Sequence, residues 1–246
     1  FFSPEDLNII KNGPSERRRF IDMELCQLDK VYVHSLVQYN KVLFQRNKLL
    51  KEVVFHPEYE ATLDVWDEQL VRFGKEVIKA RRDFIHQLGD IIKELHTKLS
   101  GGKENIEVIY DPDTEENELE AAVRKSRLQD MKQKTTLAGP HRDDISFVVN
   151  GIDIRRFGSQ GQQRTAALSL KLSELELVKK ISRDDPVLLL DDVLSELDSS
   201  RQNQLLDAIQ DIQTMITCTG LEDFLSHRFP IDKIYKVVEG TVSGEN

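Results

Sequence analysis

Hydrophobic residues in the first hundred positions recur every three or four residues, which predicts two long amphipathic helices. The first is expected over residues 15–54 and ends before Pro57, because proline disfavours helix in the residue that precedes it. The second is expected from about Pro57 to Leu99, where Gly101 stops it. Two such helices joined by a short turn should pack antiparallel, so this segment is predicted to form a helical hairpin with its apolar stripes as the core.

Beyond residue 102 the pattern changes to short strands that alternate with helices, which predicts an α/β architecture. The strand 187–190 is hydrophobic at every position, which favours a mostly parallel sheet covered by helices on both faces. Asn150-Gly151 and Glu239-Gly240 predict tight turns. The predicted strands are 106–110, 145–149, 152–156, 187–190, 213–218 and 233–238, and the predicted helices are 115–133, 161–181, 200–211 and 221–227.

The charge distribution excludes one class of protein. The chain holds 34 Lys and Arg against 43 Asp and Glu, a net charge of −9, and all of the acidic excess lies after residue 100. This balance excludes a simple basic protein that coats DNA, although a local basic patch can still bind phosphate. Arg17–Arg19 and Lys79–Arg82 are basic runs, which we interpret first as solvated helix faces and alternatively as a phosphate-contacting patch.

The cysteines and the apolar runs indicate the compartment. Cys26 and Cys218 cannot form a disulfide framework and lack the spacing of metal ligands, so a reducing cytoplasm is predicted. No apolar run approaches the ~20 residues of a membrane-spanning helix, so no membrane association is expected. The chain starts with Phe1 and shows no features of a signal peptide, so it is expected to begin partway through a longer protein.

The segment PVLLLDDVLSELD, residues 186–198, places two carboxylates at the end of an apolar strand. Ligands of open α/β sheets bind at that carboxyl edge. Asp191 is expected to hold Mg²⁺ on a nucleotide, usually through water. Asp192 is placed to orient or deprotonate an attacking water. The alternative for this segment taken alone is a solvated strand end.

The segment FGSQGQQRT, residues 157–165, precedes the helix predicted over 161–181. Gly158 and Gly161 allow backbone amides to approach an anion, and Ser159 adds a hydroxyl at a helix N-terminus that favours phosphate. Such a loop taken alone is more often a simple helix cap. The same loop followed by an apolar strand that ends in two aspartates is much more specific for phosphate binding.

Together these residues resemble an ABC-type ATPase head. Ser159, Gln160, Gly161 and Gln162 resemble the signature loop, Asp191 and Asp192 end a strand like Walker B, and Ser195 to Asp198 resemble the D-loop. The sequence departs from that pattern at three places. Gln160 stands where glycine is usual, residues 216–220 stand where a switch histidine is expected, and Asp192 is one carbon shorter than the usual glutamate.

The order of motifs narrows the resemblance to the bacterial RecF family, which are SMC-like ABC ATPases of recombinational DNA repair. The matching segments are FSPEDL (2–7), RRRF (17–20), QRN (45–47), GPHRDD (139–144), SQGQQRT (159–165) and LLLDDVLSELD (188–198). The family carries a compact helical lobe in place of a long coiled coil, which fits the predicted hairpin. The resemblance therefore implies a connector from an N-terminal ATPase lobe at 1–14, a helical lobe at 15–134 containing the hairpin 15–99, and the C-terminal part of an ATPase head at 135–246.

The resemblance also implies cofactors, partners and roles. ATP with Mg²⁺ would be enclosed between two heads of a homodimer, so that Ser159 and Gly161 act in trans while Asp191 and Asp192 act in cis. The expected partners are double-stranded or gapped DNA, RecR and the RecO pathway, and the expected outcome is recombinase loading by a weak ATPase at the nucleoid. Arg142 would lie near nucleotide or the dimer face, or form a buried structural pair with His141, and Arg164 could link the ATP state to the DNA surface.

No GxxxxGK[ST] loop, which cradles phosphates, occurs in the sequence. Gly74-Lys75 and Gly102-Lys103 lack the upstream glycine and the following Ser or Thr. The resemblance places this loop before Phe1, so the chain alone is expected not to hydrolyse ATP. Two alternatives stay open: a non-catalytic module that binds RecR or DNA, and the ATPase subunit of a transporter. The helical hairpin and the missing switch histidine count against the transporter.

Overall fold

The computed structural model describes residues 1–182, 186–219 and 231–245. The chain divides into a larger compact unit, residues 5–186, and a smaller one, residues 1–4 with 187–246. The helix predicted over 221–227 lies outside the described residues. The predicted boundary between residues 134 and 135 concerns the lobes of a whole ATPase and stays a prediction.

The larger unit is mostly helical and the smaller one mixes strands with a helix. The larger unit contains α1 (Asn8–Lys11), α2 (Pro14–Leu28), α3 (Lys30–Glu52), α4 (Leu63–Leu99), α5 (Leu119–Gln133), α6 (Ile154–Phe157) and α7 (Gln160–Ser182), with strands β1 (Ile106–Asp111), β2 (Asp144–Val149) and β3 (Ile152–Asp153). The smaller unit contains β4 (Leu188–Asp191), α8 (Ser199–Ala208), β5 (Thr214–Thr217), β6 (Ile234–Val238) and β7 (Thr241–Glu245).

The prediction of one continuous helix over 15–54 is wrong, because Asp29 divides it into α2 and α3. The backbone of Asp29 is extended, with φ −134°. Its carboxylate accepts a hydrogen bond from Val31 N at 2.7 Å, and its own N–H donates to Leu25 O at 2.8 Å. Aspartate is a strong N-cap, so this residue ends one helix and begins the next.

The helical hairpin is confirmed and consists of α3 and α4. Ser35 donates a hydrogen bond to Glu76, Arg46 pairs with Asp67 at 2.6 Å, and Leu50 packs with Leu63. Residues later in α3 therefore contact residues earlier in α4, as antiparallel packing requires. The second helix starts at residue 63 rather than 57, since residues 57–62 form a 3-10 segment.

A three-stranded antiparallel sheet packs against α4, in the order β1-β2-β3. Asn150 and Gly151 join β2 to β3 with φ values of 49° and 80°, which is the geometry of a tight hairpin turn. The predicted return strand 152–156 is too long. Asp153 accepts a hydrogen bond from Arg155 N at 2.9 Å and caps α6 instead.

The sequence predicted a mostly parallel sheet; among the described strands β4 and β5 pair parallel, whereas β1-β2-β3 and β6-β7 are antiparallel. Phe2 extends the β4–β5 pair on the other side of β4: its N–H donates to Leu189 O at 2.8 Å, and Asp191 N donates to its carbonyl at 2.9 Å. Leu188 and Leu190 are buried, whereas Leu189 is 37% exposed. Among the described residues β4 is thus covered on one face. The pair β6–β7 forms an antiparallel hairpin.

Glu24 of α2 is a buried carboxyl group that gives the larger unit a pH-dependent stability. Burial, together with the neighbouring Glu174 of α7, raises the pKa of Glu24 from 4.5 to about 8. Lys171 pairs with Glu174 at 2.6 Å. Between these two pKa values the unfolded chain has lost a proton that the folded chain keeps, so this group makes the free energy of unfolding fall as pH rises.

We therefore expect Glu24→Gln to remove this dependence. The unfolding free energy of the unmodified chain should fall more steeply than that of the variant between about pH 5 and 8, and the variant should be the more stable above that window. Urea unfolding at a series of pH values measures the difference. Parallel pH profiles for the two proteins would contradict the assignment of the buried proton to Glu24.

Candidate functional site

Ser159 is the N-cap of α7 and forms a capping box with Gln162. The Ser159 hydroxyl oxygen accepts a hydrogen bond from Gln162 N at 3.2 Å, and the Gln162 side-chain oxygen accepts one from Ser159 N at 3.0 Å. Serine followed three residues later by glutamine is the sequence pattern of this motif. The predicted signature residues thus lie at the N-terminus of a long helix, with Ser159 and Gln160 exposed.

The loop in front of α7 is held closely to α6. Gln163 donates from its side-chain nitrogen to Ile154 O at 2.8 Å, and Gly158 N donates to the same oxygen at 3.1 Å. A Cβ atom on Gly158 would lie 2.5 Å from that oxygen, so only glycine allows this approach. The exposed hydroxyl of Ser159 is therefore carried by a fixed loop. Its proton has no protein acceptor in the described part of the chain, so it can donate to an external oxygen.

Asp191 and Asp192 end β4 and are both exposed. Thr217, at the end of the neighbouring strand β5, connects them. Its hydroxyl donates to the Asp191 carboxylate at 2.6 Å and accepts from Asp192 N at 3.1 Å, while its carbonyl accepts from the same N–H at 3.2 Å. No local sequence pattern indicates the role of Thr217, because its contact with Asp191 joins two strands across 26 residues of sequence.

Asp192 adopts a left-handed backbone conformation, with φ 51°. Ser195 donates from its hydroxyl to Asp192 O at 2.8 Å and fixes the turn that follows. Asp198 then caps α8 by accepting from Arg201 N at 3.0 Å and pairs with the Arg201 side chain. The backbone hydrogen bond from Arg201 lowers the pKa of Asp198. Both predicted D-loop residues thus shape the backbone beside the two acids.

His141 is part of a half-buried hydrogen-bond network with Tyr39 and Thr136, and the alternative of a buried structural pair with Arg142 is wrong, because Arg142 is exposed. Its Nε2 lies 3.0 Å from the Thr136 carbonyl, which can only accept, so this nitrogen carries the proton. Nδ1 then accepts from the Tyr39 hydroxyl at 2.7 Å. Burial lowers the pKa of His141, which agrees with a neutral ring. Arg142 is 48% exposed and lies 3.5 Å from Asp113.

The structure brings the predicted site residues together in two groups. In the smaller unit Thr217 contacts Asp191 and Asp192, and Ser195 contacts Asp192, whereas the residues from Ser159 to Gln162 form the start of α7 in the larger unit. Arg164 lies half-buried in the first turn of α7. The proposed roles of Arg142 and Arg164 in coupling to nucleotide or DNA stay predictions.

The exposed Asp191 carboxylate fits a role in holding Mg²⁺. Magnesium is commonly bound by one or two carboxylates together with substrate phosphates and water. In the part of the chain that the structure describes, no group of three or more His, Cys, Asp or Glu side chains could hold a metal by itself. A magnesium site here would therefore depend on the phosphates of a nucleotide.

Among the helices that the structure describes, none combines the length and the apolar character needed to span a membrane.

Comparison with known proteins identifies the relatives of this chain. The DNA replication and repair protein RecF of Lachnospira eligens is 62% identical over 248 residues, covering 100% of this chain and 68% of that protein. A structure of the recombination mediator protein RecF with ATP, in the RecFOR pathway, superposes with a TM-score of 0.87 at 38% identity and covers 100% of this chain and 66% of that one. No family model matches.

A more distant structure supports the fold alone. The Smc head domain of Pyrococcus furiosus, bound to the C-terminal domain of ScpA, superposes with a TM-score of 0.52 at 18% identity, covering 99% of this chain and 60% of that one. The predicted fold class, part of an ABC-type ATPase head with a helical hairpin, is therefore confirmed. The chain spans about two thirds of the length of the RecF proteins that it matches.

Proposed function

Because the chain belongs to the RecF family of DNA replication and repair proteins, we propose that it forms part of an ATPase that closes as a dimer on DNA during recombinational repair. The proposed partners are double-stranded or gapped DNA and the RecR and RecO proteins of the same pathway. The solved RecF structures with ATP support the choice of nucleotide. The binding of Mg²⁺ with the ATP and the preference for double-stranded or gapped DNA are also part of this proposal.

The observation that carries this proposal is the acid pair at the end of β4. Thr217 holds one Asp191 oxygen through a 2.6 Å hydrogen bond and leaves the other for a magnesium-bound water. Bound to a nucleotide, Mg²⁺ would neutralise phosphate charge. Asp192, which is exposed beside Asp191, would accept the proton of an attacking water.

Ser159 supplies the second half of the proposed site, acting on the nucleotide of the partner head. Its hydroxyl proton is available to a phosphate oxygen, and the N-terminus of α7 favours negative charge. A hydrogen bond donor fixed before the reaction stabilises developing charge most strongly when the closing dimer excludes water. A single head should therefore be a poor ATPase.

The capping box allows a matched test in a full-length RecF that carries this sequence. Aspartate and asparagine both cap helices well, so Ser159→Asp and Ser159→Asn should fold alike. The aspartate places a negative charge beside the partner's γ-phosphate and should lower the hydrolysis rate roughly 10²-fold and block ATP-driven dimerisation, whereas asparagine should cost far less. Phosphate release and sedimentation with and without ATP measure the two effects.

Equal activity of the aspartate and asparagine variants would show that Ser159 does not face a phosphate. Loss of ATP binding by the Ser159→Asp monomer would show that the loop acts in cis. The alternative function, a non-catalytic module for RecR or DNA, predicts that neither variant changes any ATP-dependent property. It also predicts that the chain alone binds its partner without nucleotide.

A further inference from the structure

A cavity of about 480 Å³ lies in the larger unit, and none of its lining residues belongs to the proposed ATPase site. Its walls come from α2, α3, α4 and the 3-10 segment at residues 140–142. Leu36, Met23 and Cys26 form an apolar part of the lining. The lining also contains Ser15, Arg18, Arg19, Asp22, Tyr39, Asn40, Arg81 and His141.

The arginines around this cavity fall into two classes. Arg17, which does not line it, pairs with Asp144 at 2.6 Å, and Arg81 pairs with Asp22 and Asp143 at 2.8 and 2.9 Å. These are structural ion pairs. Arg18 and Arg19, by contrast, line the cavity and have no carboxylate within 4.0 Å among the described residues. Neither arginine therefore forms a direct ion pair, although Arg18 donates to the Asp143 carbonyl oxygen at 2.6 Å and lies near the carboxylates of Asp143, Asp144 and Asp22.

The remaining titratable groups of the lining do not cancel that charge. Asp22 is already bound by Arg81 and by the hydroxyl of Tyr32. Burial lowers the pKa of His141 and so favours its neutral form. Burial and then the nearby charge of Arg81 lower the pKa of Arg18, while the carboxylates of Asp143, Asp144 and Asp22 oppose that change. A protein with a net charge of −9 thus keeps a local cationic site.

We infer that this cavity binds a phosphate group together with an apolar part of the same ligand, as in a nucleotide unit. Guanidinium groups match phosphate oxygens in pairs, and Arg18 and Arg19 provide two of them on one helical turn. The hydroxyl of Ser15 and the amide of Asn40 add further donors. The apolar lining suits a sugar or a base. The phosphate comes from a nucleic-acid backbone or from a free nucleotide.

The thiol of Cys26 provides a local readout, since it lines the cavity while Cys218 is exposed elsewhere. Alkylation of both thiols is followed by mass spectrometry at alkaline pH, because burial raises the pKa of Cys26. The probes are inorganic phosphate, a nucleoside 5′-monophosphate and a short single-stranded oligonucleotide at fixed ionic strength.

A phosphate probe should slow the alkylation of Cys26 saturably and leave Cys218 unchanged. Arg19→Gln should raise the half-saturating concentration about 10-fold, because it removes a charge-assisted hydrogen bond donor. Arg124→Gln, which removes an exposed arginine of α5, is the control and should leave it unchanged. Protection by the monophosphate indicates a free nucleotide, and protection by the oligonucleotide alone indicates a nucleic-acid backbone.

Three results would overturn the inference. The first is that no phosphate probe protects Cys26. The second is that Arg19→Gln and Arg124→Gln weaken protection equally, which would indicate general surface charge. The third is protection by a polyglutamate peptide but by none of the phosphates, which would assign the cavity to an acidic protein segment. Circular dichroism of each variant verifies that the fold is kept.

Discussion

Replacing Arg46 by methionine should lower the free energy of unfolding of this chain by about 3–5 kcal/mol, because it leaves a buried carboxylate without its partner. Arg46 and Asp130 are both fully buried and their side chains lie 2.8 Å apart. Arg46 also pairs with Asp67 at 2.6 Å and donates to the Thr136 hydroxyl at 2.8 Å. One side chain of α3 therefore connects α4, α5 and the segment after α5. Urea unfolding measures the loss.

A second variant separates the orphaned charge from the lost packing. Arg46→Met combined with Asp130→Asn removes the negative charge and should recover a large part of the stability that the single variant loses. Arg124→Met removes an exposed ion pair and should change the unfolding free energy by less than about 0.5 kcal/mol. A single variant that is as stable as the double variant would show that Asp130 is not held as a buried charge.

Several segments that carry the family resemblance have structural roles of this kind. Arg46 lies in QRN, and Arg17 lies in RRRF, where it pairs with Asp144 through two hydrogen bonds of 2.6 and 2.9 Å. Asp143 and Asp144 lie in GPHRDD, and burial raises the pKa of Asp143 while bonds from Tyr110 and Arg81 oppose that rise. Polar sequence motifs shared with an ATPase family thus specify helix packing here.

The sequence predicted the hairpin and most strands because their spacing follows from the period of each element. It did not predict the division at Asp29, since the apolar spacing continues across that residue. There the side chain of Asp29 bonds to the backbone and competes with a continuous helix. Strand β3 is shorter than predicted for the same reason, because the side chain of Asp153 caps α6. Thr217 was not predicted because its role arises from strand pairing, which no local pattern reports.

The structure also explains one departure from the ABC pattern, the aspartate at position 192. Its φ of 51° lies in the left-handed region, which aspartate and asparagine tolerate better than other residues with side chains. A glutamate would keep the carboxylate but would be strained there by about 1 kcal/mol. The shorter acid is therefore compatible with a turn that Thr217 and Ser195 hold in place.

In a full-length RecF that carries this sequence, Asp192→Asn should slow ATP hydrolysis by about 10²–10⁴-fold while sparing ATP binding. Asparagine fits the left-handed backbone and keeps the N–H bonds to Thr217, so only the base is removed. Steady-state phosphate release and equilibrium ATP binding measure the two properties, and the ATP-bound dimer should accumulate.

The matched control is Asp192→Glu, which restores the usual length of the acid at the cost of backbone strain. It should retain hydrolysis within about 10-fold, because the general base is still present and the expected strain of about 1 kcal/mol is modest. Asp191→Asn should differ from both variants by weakening Mg-ATP binding itself. Normal hydrolysis by Asp192→Asn would place the base elsewhere, and equal losses in the asparagine and glutamate variants would show that a carboxylate at position 192 is not sufficient for hydrolysis unless its placement is also kept.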